Sequence, residues 1–146
     1  MDKMSELNSC ITYLEKQLST YRRIAEINES IIRMMFLWLN NPSDEALENV
    51  FNIFHCNKIA VYGYSRLGQI LVKKLENTKI DVKYIIDRNK KLNVPGYSVV
   101  HPEDKLPIVD AIIITNVYDF DSIREELLMM KDDMNVLSLA DVLCIL

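Results

Sequence analysis

From Met1 to Asn41 the chain has no glycine or proline, and its apolar residues recur at Leu7, Ile11, Leu14, Leu18 and Tyr21, spaced alternately by four and three. That is the spacing of a helix face. The stripe continues less regularly through Ile24, Ile27, Ile31, Met34 or Met35, and Trp38. The stripe fits either one long helix or two joined near the polar run Asn28-Glu29-Ser30, where Ser30 would cap the second, and the run favours two. Pro42 ends the region. Ser43-Asp44-Glu45-Ala46 then opens a third helix to about Phe54, with Ser43 as N-cap and Leu47, Val50, Phe51 and Phe54 on its buried side.

From residue 58 onward short apolar runs alternate with amphipathic segments. Lys58 to Tyr62 (KIAVY) predicts a strand, and Arg66 to Asn77 a helix with Leu67, Ile70, Leu71 and Leu75 inward. Val82 to Ile86 (VKYII) is a second strand, closed by Asp87-Arg88-Asn89. After a turn at Pro95-Gly96, Tyr97 to Val100 is a short third strand, and Ala111 to Thr115 (AIIIT), the most apolar, is the central one. Asp119 or Asp121 caps a helix to about Met130, Asn135 to Leu139 is a fifth strand, and Leu139 to Leu146 forms a last short helix. Strands alternating with helices imply parallel βαβ units with right-handed crossovers. The expected fold is therefore α/β and three-layered, with a mostly parallel five-stranded sheet in the order 3-2-1-4-5. Its ligand crevice lies at the carboxyl ends of strands one and four.

This pattern divides the chain into a helical region, 1–56, serving packing or dimerisation, and an α/β domain, 57–146. At 146 residues there is room for one nucleotide-sized domain but none for a separate substrate domain. The balance of 49% hydrophobic to 26% charged residues describes an ordinary globular protein, and a net charge of −4 offers no basic field to nucleic acid. Cys10, Cys56 and Cys144 are widely spaced, without C-x-x-C or Cys/His grouping, which predicts neither disulfides nor a metal site and suits the cytoplasm. The N-terminus lacks the character of a signal peptide. The apolar run Ile31 to Leu39 is interrupted by Arg33 and too short for a membrane span.

The candidate chemistry is concentrated in Gly63-Tyr64-Ser65-Arg66-Leu67-Gly68. Between a strand and a helix, Gly63 permits the sharp turn and Gly68 a close approach of helix to sheet. Amides around Ser65 to Leu67 then face the crevice at the positive end of the helix dipole, where a phosphate is stabilised. Ser65 stands where G-x-G-x-x-G has its middle glycine. Its side chain narrows the approach of a pyrophosphate, while its hydroxyl can donate to a phosphate oxygen. Asp87, at the end of the second strand, is placed either to accept from a ribose diol or to close a loop. Arg88 is placed to cover a base or pair with a 2′-phosphate, and Thr115-Asn116 to form the opposite wall. His101 stands near the crevice edge and His55 at the far end of the sheet. No Ser-His-Asp set, Cys-His pair or metal-ligand pattern accompanies these residues, which therefore predict no catalytic group and no metal.

Ile59-Ala60-Val61-Tyr62-Gly63-Tyr64-Ser65-Arg66-Leu67-Gly68, Val82-Lys83-Tyr84-Ile85-Ile86-Asp87 and the run from Leu106 to Thr115 (LPIVDAIIIT) carry a family resemblance. Residues 58–140 resemble the Rossmann-like nucleotide-binding domains of bacterial polysaccharide and nucleotide-sugar gene products. The resemblance implies a Rossmann-like fold and a ligand such as NAD(P) or a nucleotide sugar. The helical preface is common in that group; the catalytic domain that usually accompanies the module has no counterpart in these residues. Three functions are consistent with this picture. One is a stand-alone module binding a nucleotide, dinucleotide or nucleotide sugar beside a partner enzyme. Another is a small NAD(P)-dependent oxidoreductase or epimerase-like enzyme completed by a partner subunit. The third is a scaffold or dimerisation protein whose nucleotide site is degenerate and whose N-terminal helices mediate assembly. The surplus of apolar positions between Leu7 and Trp38 points to a homodimer.

Overall fold

The computed structural model describes residues 2–146. Helix α1 spans Lys3–Asn40, followed by α2 (Asp44–Ile53), β1 (Lys58–Tyr62), α3 (Arg66–Leu75), β2 (Asp81–Ile86) and β3 (Ser98–Val100). Strand β4 (Ala111–Ile114) leads through a 3-10 turn at Val117–Asp119 into α4 (Phe120–Met130), β5 (Val136–Ser138) and α5 (Leu139–Ile145). All neighbouring strands pair in parallel, in the order β3-β2-β1-β4-β5. The α/β architecture expected from the sequence is therefore present. No helix among the described residues is long and apolar enough to cross a membrane.

The predicted break at Asn28-Glu29-Ser30 does not occur, and α1 is one helix of 38 residues. Asn, Glu and Ser each cost well under about 1 kcal/mol in a helix interior. A break would disrupt the inward stripe in which Met34 and Trp38 are buried and Ile31 and Leu37 pack against the same core. The stripe prevails, and Ser30 is a mid-helix residue. A second adjustment concerns α4. Asp119 stands at its N-cap but makes no capping bond, because its carboxylate turns to Arg23 of α1 at 3.1 Å.

Strand alternation sorts the core into two layers. Ile59, Val61, Ala111 and Ile113 face one side, with α3, α5, α2 and the last turns of α1. Ala60, Tyr62, Ile112 and Ile114 face the other, under Ile123 and Leu127 of α4. The chain moves from β1 to β2 in one direction along the sheet and from β4 to β5 in the opposite one. Right-handed crossovers therefore put α3 and α4 on opposite faces. Their departures open a crevice above the carboxyl ends of β1 and β4.

Candidate functional site

The turn after β1 is built by three fixed contacts. Gly63 adopts φ +90°, a conformation that favours glycine, and its N–H donates to the Ile86 carbonyl at 2.8 Å. The buried Thr115 hydroxyl lies 2.9 Å from both the Tyr62 and Gly63 carbonyl oxygens. A Cβ on Gly68 would stand 2.0 Å from the Gly63 carbonyl oxygen, so α3 crosses the turn at a distance that only glycine permits. Thr115 and Gly68 thus shape the loop from beneath, the one by spending its hydroxyl proton on the turn and the other by having no side chain.

The start of α3 is different. Ser43 and Ser138 cap their helices by accepting from the amides of Ala46 and Ala140, each at 3.2 Å. Ser65 occupies the same position on α3 and makes no such bond. First-turn amides have no intrahelical acceptor. Those of α3 are left uncapped beside an unused hydroxyl, and of this stretch Ser65 and Leu67 border the crevice.

Asp87 reaches back to this loop. Its Oδ2 accepts from the Tyr64 N–H at 3.0 Å, and its Oδ1 accepts from the Asn89 N–H at 2.8 Å. The carboxylate thus closes the loop, leaving its remaining lone pairs for a ribose hydroxyl. Arg88 leans towards α4. Its Nε donates to the Tyr62 hydroxyl at 3.3 Å, and its guanidinium pairs with Glu126. The bond to Tyr62, and then Glu126, raise its already high pKa further.

These residues surround a cleft of about 260 Å³. Gly63, Tyr64, Ser65, Leu67, Asp87, Arg88, Thr115 and Asn116 all line it, whereas Arg66 and Gly68 do not. His101 lies outside it, against an adjoining hollow beside Arg88. His55 sits in the turn before β1 with φ +56°.

Sequence reasoning missed the third wall. Ile27, Ser30 and Ile31 of α1 border the cleft, facing Val117, Tyr118 and Ile123. Arg23 and Glu26 hold α1 there. The Tyr118 hydroxyl donates to Glu26 at 2.7 Å, which raises the pKa of the phenol, and the Arg23 guanidinium lies 5.1 Å from the centre of the Tyr118 ring. The inward placement of Ile27 and Ile31 was a signal available in the stripe; the crevice opposite them was not. No family model, curated protein or solved structure matches this chain.

Proposed function

We propose that the chain is a Rossmann-like binding module that holds a nucleotide or nucleotide sugar, with its phosphate against the first turn of α3. The observation that carries this reading is the uncapped start of α3, with the Ser65 hydroxyl unbonded, opening into the cleft. Such a terminus attracts an anion through its free amides and dipole. Asp87 would meet the ribose with the lone pairs its loop contacts leave over. The cleft volume of about 260 Å³ falls just short of the roughly 300–1,000 Å³ of typical ligand sites. It suits a mononucleotide portion better than an extended NAD(P), which is the larger candidate.

In this reading any reaction is carried out by a partner enzyme. By its resemblance the module belongs with nucleotide-sugar or polysaccharide metabolism in the cytoplasm. A second reading, a dimerising scaffold, is favoured by the exposure of Leu7, Leu14 and Leu18 along α1. The two are compatible, and a homodimer of nucleotide-binding modules combines them. Thermal unfolding with NAD, NADP, ATP, UDP-sugars and CDP-linked ligands tests the binding reading. A ligand at a hundred times its Kd adds about 2.7 kcal/mol of stability. No shift with any of them would overturn nucleotide binding and leave the scaffold.

A further inference from the structure

Helix α1 carries two apolar seams. The inner one, Ile27, Ile31, Met34 and Trp38, packs against the chain's own domain or lines the cleft. The outer one begins at Met4, Leu7, Ile11, Leu14, Leu18 and Tyr21. It passes through Ala25 and Asn28 and ends in Ile32, Met35 and Leu39, with intervals of three and four alternating throughout. All of these positions are exposed, the large apolar ones by 40% to 78%. An alternation of three and four sustained along the whole helix is the heptad repeat of a coiled coil.

We infer that this outer seam is the homodimer interface, a parallel, in-register coiled coil with a second copy of the same chain. The inference rests on the homodimer reading above and adds its surface and its direction. Nine large apolar side chains on the seam leave on the order of 100 Å² each open to water. Two copies thus have about 1,800 Å² to cover, within the roughly 1,200–2,000 Å² of a stable interface.

Asn28 sets the direction. In a parallel, in-register pair it meets Asn28 of the second copy, and the two amides bond to each other. Antiparallel pairing along the whole helix would set it against an apolar residue such as Ile11 or Leu18, leaving a buried amide unpaired. Geometry permits the arrangement. The outer seam is offset from the inner by one residue, about 100° around the helix. Each sheet therefore lies to the side of the coil rather than between the helices.

The test uses the full chain. Light scattering at micromolar concentration gives twice the 17.0 kDa protomer mass. The double variant Leu14→Lys/Leu18→Lys halves that mass with unchanged sheet circular dichroism, because both side chains are exposed in the protomer. In a Cys10→Ser/Cys144→Ser background, Leu7→Cys crosslinks two copies under mild oxidation. A disulfide needs Cα atoms within about 7 Å, which antiparallel pairing denies to this position. A monomeric wild type overturns the homodimer reading and the seam together. A dimer that survives the double lysine variant, or one in which Leu7→Cys does not crosslink, keeps the homodimer and overturns the parallel coil.

Discussion

The carboxylate of Asp87 accepts a hydrogen bond from the backbone N–H of Tyr64 at 3.0 Å, tying the end of β2 to the turn after β1. Its other oxygen holds the Asn89 amide. Asp87 is therefore structural before any ligand arrives. Asp87→Ala should lower the stability of the ligand-free protein by about 1–3 kcal/mol, the cost of leaving amides without a charged acceptor. Urea unfolding without nucleotide measures this. Unchanged stability would return Asp87 to a purely ligand-binding role.

The three serines at helix starts should separate by function. Ser43→Ala and Ser138→Ala each remove a capping bond and should cost about 1 kcal/mol. Ser65→Gly removes none, so its stability should change by only a few tenths of a kcal/mol, while affinity for dinucleotides rises as the pyrophosphate gains room. Denaturation curves and nucleotide titrations of the three variants decide it. A destabilised Ser65→Gly, or one with unaltered dinucleotide affinity, contradicts the assignment.

Gly68→Ala places a methyl 2.0 Å from a backbone oxygen, which no rotamer change relieves. Helix α3 must move away from the turn, and a loss of about 3 kcal/mol or more is expected. Gly96, with open space around it, provides the comparison. Its φ of +86° is strained by alanine, but no contact is broken. In chemical denaturation Gly68→Ala should be the more damaging of the two; the reverse order would mean that close helix packing does not govern this turn.

Asp110 predicts a pH dependence. One of its oxygens accepts from the amides of Lys58 at 2.8 Å and Asn57 at 2.9 Å, fastening the start of β1 to β4. The Lys58 amide first, then that of Asn57, hold its pKa below the ordinary aspartate value. A lowered folded pKa means that the stabilisation is fully present above the unfolded value and is lost as pH falls through the folded one. The stability gap between wild type and Asp110→Ala should thus be constant near neutrality and close progressively below pH of about 4. Urea midpoints of both proteins across that range report it. A gap that persists unchanged in acid would place its origin elsewhere.

Helix α1 should divide at its middle. Removing residues 2–22 deletes only side chains that are exposed or half-buried, and the domain should remain folded with its single tryptophan buried. Removing residues 2–41 takes Met34 and Trp38 out of the core, where each loss resembles a large-to-small substitution of about 2–5 kcal/mol. Solubility and thermal melts of the two truncations are the measurement. A longer truncation that melts like the full chain would show that α1 contributes nothing to the core.

Much of this architecture was legible in the residues alone. Apolar runs such as KIAVY and AIIIT, set between amphipathic segments, determined which stretches are strands. The alternation, with the handedness of crossovers, led to the expectation of a doubly wound parallel sheet with a crevice at its carboxyl edge, and the structure has the expected order β3-β2-β1-β4-β5. These are local periodicities and chain-order rules, which a single sequence carries in full. Only the tertiary structure decided that α1 continues through Asn28-Glu29-Ser30, because the gain from burying its inner stripe depends on a core assembled from distant residues. It also decided that Thr115 supports the glycine turn, that Asp87 is already engaged there, and that Ile27, Ser30 and Ile31 wall the cleft. Periodicity tells which face of an element is apolar. What lies across from that face is set by contacts between residues far apart in the chain.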